Sequence, residues 1–579
     1  MLVKQTLMLA SYTLLSVLVA SCASQEVAAD TPPPVADQTV SATQPEQSLS
    51  AKQSLDGQTI YSVLTAEMAI DRGEYPLAGS LYYHLAEETR DAGAAKKAAN
   101  IAQMLGDMKA AKAASKIWLE SEPDNVQANQ SAALASIRLG ELDDAKNYLE
   151  RTLALNPKSS AGIFLSDTSA FNDEDLRSLQ QLITGLTEQY NDNASLWFSD
   201  AELKYHLSNT TGALESINHS LKLQRTIDAY LLKAQILFRD QQDEKAIATL
   251  DQALKAFPLE RRIVVYKTQQ LSRLERPADA IPTLQDYLEQ NTDDAPIMAL
   301  LARIAIDADE PELARSLYLA LEQNNTFTNE AHYYLARLDE NNGDIQSTMQ
   351  HLKRITPSEY YIPAVSQRVQ ILMTEQKVDD AQSLLDHQLQ TYPDQPALYN
   401  IYAGFLSQNG ANSEAFDKLT EGLKQFPENI ELLYSRALFA EPLGKLDIVE
   451  QDLLKVIELE PDNAAALNAL GYTWADHNVK LDQAFTMIEK AHKLNPDDAA
   501  TMDSLGWVYY RMGNTEQAIK YLSQAFSKSP NHEIAAHLGE VLYKSGQIEE
   551  AENVWQKGYK DNPDSTILDN TIRRMKGDS

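Results

Sequence analysis

The stretch AATMDSLGWVYYRMGNTEQAIKYLSQAFSKSP, residues 499–530, decides the fold. Met502, Leu505, Gly506 and Tyr509 recur at i, i+3, i+4 and i+7, one face of a helix. Gly513-Asn514 stops that helix, and Ala518, Leu522 and Ala525 form the facing stripe of a second one. Pro530 ends the unit. Gly506 and Ala518 are small where the two helices must approach, since a large side chain at either would wedge them apart. Ala525 plays the same part toward the next helix in line.

Outward from this unit, the small residue that opens each second helix keeps its phase along nearly the whole chain. It falls at Ala78, Ala111, Ala145, Leu179, Ala213, Ala246, Ala280, Ala314, Thr348, Ala381, Ala415, Val449, Ala484, Ala518 and Ala551, in steps of 33, 34 or 35 residues. In nine of these fifteen units a proline follows twelve residues later, from Pro123 to Pro563. Leu-Gly-x₂-Tyr, then Ala-x₃-Leu-x₂-Ala, then Pro, resembles the tetratricopeptide pattern. The resemblance implies an all-α, right-handed superhelical solenoid of about fifteen helix pairs over residues 55–579, with the first helix of each pair lining a concave groove. Stacking is obligatory, because one helix pair cannot bury its apolar face alone. The weakest unit lies near 158–191. Its opening, KSSAGIFLSDTSAFNDED (158–175), keeps the spacing, yet Gly162, Ser166, Asp167, Ser169 and Asn172 favour turns. It reads as a degenerate repeat or as a hinge.

Counting the repeat alanine as position 20, groove positions are 2, 5, 9, 12 and 13. Trp507 falls on position 9, with Asp503, Tyr510 and Arg511 beside it, and Asn468 and Tyr472 fill positions 5 and 9 one repeat earlier. This stripe is expected to be a partner contact. Phe198, Tyr205, Leu231, Phe238, Val265 and Tyr333 also reach groove positions, and such an aromatic-studded groove suits extended polypeptide. Trp118, Trp197, Trp474 and Trp555 fall on helix-packing positions. Lys96 and Asn100 have the opening spacing of the family's carboxylate clamp, but Ser131 stands where the next Asn is needed, so no clamp is expected.

The chain holds 50 Lys and Arg against 83 Asp and Glu, a formal charge of −33. That field repels phosphate backbones and argues against nucleic acid as partner. No phosphate loop or catalytic constellation occurs, and His532 and His537, five apart, share no helix face. The repeat phase leaves no block large enough for an enzyme domain. A non-enzymatic protein without metal or cofactor is expected.

The N-terminus adds a second theme. VLVASCASQ (17–25) holds Cys22, the only cysteine, so no internal disulfide can form. Lys4 precedes an uncharged apolar run too short and too broken for a membrane span, which fits a secretory signal. Val19-Ala20-Ser21-Cys22 resembles the bacterial lipoprotein box. The resemblance implies removal of residues 1–21 and lipidation of Cys22, and three acyl chains exceed the two signals that stable anchoring needs. Ala23, where aspartate would favour inner-membrane retention, points to the periplasmic face of the outer membrane. Residues 22–54 carry four prolines and no aromatic residue, the composition of a disordered tether with a reach of roughly 30 Å.

DSLGWVYYRMG (503–513), EIAAHLGEVLYKSG (533–546) and RGEYPLAGSLYYHLAEETRDAGAAKKAANIAQMLGD (72–107) resemble a group of proteobacterial outer-membrane lipoproteins. The best-understood kind is an adaptor that binds a periplasmic carboxyl-terminal processing protease and promotes degradation of cell-wall hydrolases. The resemblance implies that role here. The alternative is a structural scaffold of an envelope biogenesis or secretion complex, with no part in proteolysis.

Overall fold

The structure, a computed structural model, describes residues 57–159 and 171–577. The expected signal, Cys22 and the tether lie outside the described residues, as do residues 160–170 of the doubtful repeat. Among the described residues are thirty α-helices and one short 3₁₀ turn, and no strand. No described helix is long and apolar enough to cross a membrane.

The chain forms two compact units, one ending at Asn324 and the next beginning at Asn325. Helix pairs fill both. In the first they run from Gly57–Asp71 with Tyr75–Thr89 to Ala295–Asp307 with Pro311–Leu321. In the second they run from Thr328–Asn341 with Ile345–Arg354 to His532–Lys544 with Ile548–Asp561, followed by Thr566–Lys576. A second helix stands at fourteen of the fifteen phased positions, including Asp173–Gln189 beside the doubtful segment, and Ala280 closes the 3₁₀ turn that leads into Ile281–Leu288.

The phase is a phase of burial. Thirteen of the fifteen alternatives to bulk are met by Ala or Thr, and all fifteen residues from Ala78 to Ala551 are at most 2% exposed. Close approach explains the choice. A Cβ on Gly506 would stand 2.6 Å from Leu522 Cγ and 3.1 Å from the Ala518 carbonyl oxygen, so even alanine is too large there.

The turn between the two helices of each pair is equally uniform. Gly513 takes φ +85°, its N–H donates to the Tyr510 carbonyl, and the Asn514 N–H donates to the Tyr509 carbonyl at 2.8 Å. This left-handed cap satisfies carbonyls that the helix end would otherwise strand. Asn514 then caps the next helix, its Oδ1 accepting from the Gln517 N–H. Asp and Asn repeat that capping role at Asp91, Asp107, Asn125, Asn193, Asn463 and Asp498.

Charges enter the packing where they are matched. Asp200, fully buried, accepts from Thr184 Oγ1, Lys204 Nζ and Ser216 Oγ, which ties three successive helices. In the second unit Arg436 grips buried Asp452 with two nitrogens at 2.7 and 2.8 Å. The last helix buries Leu568, and its Arg574 pairs with Glu540.

Candidate protein-binding grooves

In both units the first helices crowd together. Tyr472 and His537 sit on first helices two repeats apart, yet the hydroxyl and Nε2 are only 3.3 Å from each other. In the first unit Phe238 and Tyr266, on neighbouring first helices, meet edge to face at 6.3 Å between centroids. Contacts that skip a repeat occur on the inner side of a bend, so the first helices line the inner face of the second unit, and in the first unit neighbouring first helices meet along the corresponding face.

In the first unit that face holds an open cleft of about 980 Å³. Phe198 and Glu202 from Ala194–His206, Leu231 and Gln235 from Ile227–Arg239, and Arg262 from Arg261–Arg273 line it. A smaller hollow of about 340 Å³ continues it past Val265, Tyr266 and Gln269. Three consecutive first helices thus present Phe198, Leu231 and Val265 among amide, hydroxyl and charged side chains. Arg262 pairs with Asp228 at 2.7 Å at the margin. Glu202 has no such partner: its Oε2 is buried and accepts no hydrogen bond among the described residues. Burial, with Asp228 adding repulsion, pushes its carboxyl up to about 7.

The second unit's groove is filled by its own rings. Trp507 is 2% exposed, stacked on His537 at 4.3 Å between centroids and leaning on Tyr510 at 5.3 Å. Its Nε1 donates to Asp476 Oδ1 at 3.2 Å, and the Arg511 guanidinium lies over it at 5.7 Å. Asp503 is buried too, with Oδ2 2.8 Å from His537 Nδ1, while its Oδ1 and the Asn468 Oδ1 are buried without hydrogen-bond partners among the described residues. Burial opposes charge on His537, but Asp503, then Asp476 and Glu540, hold its pKa above the ordinary value. The same setting of burial and nearby carboxylates drives the Tyr472 hydroxyl well above its usual range.

This corrects the expected contact stripe. Asn468, Tyr472, Asp503, Trp507, Tyr510 and Arg511 do come together, but Trp507 and Asp503 are interior groups, covered by the next first helix through His537. Tyr472, Tyr510 and Arg511 are half-buried around them. Of the remaining aromatics, Phe198 opens into the cleft, while Tyr205 lies under the Arg239 guanidinium at 4.9 Å. Phe238 is 8% exposed, edge-on to Tyr266, so it too serves packing more than contact. Tyr333 is tilted on Tyr360 at 5.1 Å in the second unit. Trp118, Trp474 and Trp555 are buried as expected, and half-buried Trp197 packs on His219. Lys96 lies over the Trp118 ring.

Sequence reasoning passed over His537 and Glu202. Glu202 shares position 9 with Trp507, so its direction was readable. His537 stands one residue off the counted positions, yet it reaches Trp507 and Asp503.

Comparison with known proteins agrees with this architecture. Residues 228–259 match the family described as tetratricopeptide repeat, and residues 477–558 match that of anaphase-promoting complex, cyclosome, subunit 3. The chain is 34% identical over 522 residues to the TPR repeat-containing protein PA4667 of Pseudomonas aeruginosa, covering 90% of this chain and 88% of that one. It therefore belongs to the tetratricopeptide-repeat proteins, and to PA4667's family among them. Solved structures with similarity include a tetratricopeptide repeat protein from Parabacteroides merdae (16% identity, 43% of this chain and 99% of that chain, TM-score 0.36). Another is the Cut9–Hcn1 hetero-tetramer of the APC/C (14% identity, 90% and 96%, TM-score 0.32).

Proposed function

We propose that the chain is a lipid-tethered adaptor on the periplasmic face of the outer membrane. It brings a periplasmic carboxyl-terminal processing protease together with cell-wall hydrolases. Solenoids of this family serve as protein-interaction scaffolds, and the cleft along three consecutive first helices is the observation that supports the reading most. Its wall of Phe198, Leu231 and Val265 is continuous over the length an extended segment would occupy. Cys22 is the attachment point for lipid in this reading, and its test is direct: Cys22→Ser releases the protein from the membrane fraction.

The adaptor role is tested by pull-down with the mature chain. Recovery of a processing protease, with faster cleavage of a wall hydrolase when the chain is added, is the expected result. Recovery of envelope assembly components with no change in proteolysis would replace the adaptor by a scaffold.

A further inference from the structure

In the first unit's cleft Phe198, Leu231 and Leu232 stand among polar side chains, and half-buried Glu202 has a buried oxygen, Oε2, with no hydrogen-bond partner among the described residues. Glu202 projects from the helix Ala194–His206, between Phe198 on its own helix and Leu231 and Gln235 on the next. The nearby cations are committed or peripheral. Lys204 is held by Asp200 at 2.6 Å, Arg262 by Asp228 at 2.7 Å, and Lys158 is an exposed rim residue. Among the other charges of the lining Arg262 is offset by Asp228, and Lys158 balances Asp192 in sign, so Glu202 is the carboxyl left over. A carboxyl with a buried, unpartnered oxygen is costly when ionised, and a cationic group brought in by a ligand would relieve that cost. The net charge of −33 favours a basic visitor over an acidic one at long range.

We infer that Glu202 is a specificity residue of this cleft, and that the cleft takes an extended polypeptide segment whose lysine or arginine side chain pairs with the Glu202 carboxylate while apolar neighbours lie against Phe198 and Leu231. The inference rests on the reading of the groove as a polypeptide site and deepens it. Because the free carboxyl sits near 7 and the paired one would be ionised, binding releases a proton, and affinity rises with pH. Asp228 is the charged group that most strongly resists that ionisation, with Asp192, Arg262 and Lys158 farther along the lining.

The test is a selection of phage-displayed random peptides on the full chain at pH 8, run in parallel on Glu202→Gln. Glutamine copies the shape of the neutral acid, so the fold is preserved. Lysine or arginine is expected to be enriched at one position among binders of the natural chain and not among binders of the variant. A selected arginine peptide should then bind about tenfold more tightly at pH 8 than at pH 6, following ionisation of a group near 7. That dependence should vanish in Glu202→Gln and when citrulline replaces arginine. No basic enrichment, or equal binding of arginine and citrulline peptides that Phe198→Ser still abolishes, overturns the inference and leaves the groove reading intact. Selected peptides whose binding Phe198→Ser does not change would overturn both. A pH dependence that survives in Glu202→Gln would also overturn the inference.

Discussion

The two grooves use one scaffold and fill it differently. At position 9 of successive repeats the first unit carries Glu202, Gln235 and Gln269; in the second it holds Trp507 and Glu540, and Tyr472 takes the matching place one repeat before Trp507, following Gly471 as Trp507 follows Gly506. Amide and carboxyl side chains at this position leave a cleft of about 980 Å³. Rings at the same position reach across to the next first helix, and Trp507 ends stacked on His537. Position in the repeat thus sets the direction of a side chain, while its size decides whether the groove is open or occupied by the protein itself. An aromatic residue at a groove position is as able to be floor as to be contact.

The sharpest way to break this comparison is to truncate one ring in each unit. Trp507→Ala should cost the second unit about 3–5 kcal/mol, as for a large buried aromatic, because it removes the stack on His537 and strands the Asp503 pair in a void. Phe198→Ser should cost the first unit only about 1 kcal/mol, because the ring is already half solvated, while abolishing polypeptide binding there. Hydrogen exchange read separately on peptides from 464–544 and 194–269 measures both. Equal protection losses in the two units would show that the grooves do not differ in this way.

Helix spacing gives the next contrast. A Cβ on Gly539 would lie 2.0 Å from Trp555 Nε1, so Gly539→Ala should destabilise the last pair by about 1–3 kcal/mol by forcing the indole aside. The same repeat position in the first unit is Ala201, fully buried, where the methyl is accommodated. There the reverse change, Ala201→Gly, should cost about 1 kcal/mol through helix propensity and lost packing. Urea unfolding of each variant checks the pair.

Titration should separate the units by direction and window. The Glu202 pKa lies above its ordinary 4.5, so its protonated form is the one folding favours. That contribution is complete below pH 4.5 and lost as pH rises through about 7. His537 also has a raised pKa, and its contribution is complete below the ordinary 6.5 and lost as pH climbs through the raised value. Protection around 194–269 should therefore fall first on the way up from pH 4.5, and protection around 532–544 only above 6.5. Glu202→Gln and His537→Gln should each remove one of the two transitions. Their persistence in these variants would assign the transitions to other groups.

The repeat was legible because its cause is local and periodic. Ala78 through Ala551 are small for one reason, contact with the preceding first helix, and that reason recurs every 33 to 35 residues. The groove was legible only in part. Position told that Trp507, Tyr472 and Glu202 point inward, but nothing in a single repeat says that His537 will arrive from the next helix to cover the indole. Nor does it say that Glu202 Oε2 will be buried without a hydrogen-bond partner among the described residues. Those facts depend on side chains in neighbouring repeats, or two repeats apart as in the Tyr472–His537 contact, and the periodicity of one helix carries no information at that range. Asp200 was overlooked because its partners, Gln180, Thr184, Lys204 and Ser216, come from three different helices.

The smallest effect concerns the turns. All fourteen described turns between the helices of a pair place a residue in the left-handed region, and eight of them use glycine, at φ between +69° and +87°. Four successive turns of the first unit do without it, at Ser208, Gln241, Glu275 and Asp309. A side chain there costs roughly 1 kcal/mol in the folded state. Glycine removes that cost but gains freedom in the unfolded chain, so the net gain is smaller. Glu275 is exposed and at φ +58°, which makes it the cleanest position to change. Glu275→Gly should stabilise the first unit by a few tenths of a kcal/mol, up to about 1. Gly513→Ala in the second unit should lose about 1 kcal/mol from backbone strain alone, because a Cβ at Gly513 meets no atom within 4 Å. If Glu275→Gly instead lowers the midpoint of the first unit's unfolding in urea, then its turn is held by something other than backbone preference, and the two units differ in how they close their helix pairs as well as in how they fill their grooves.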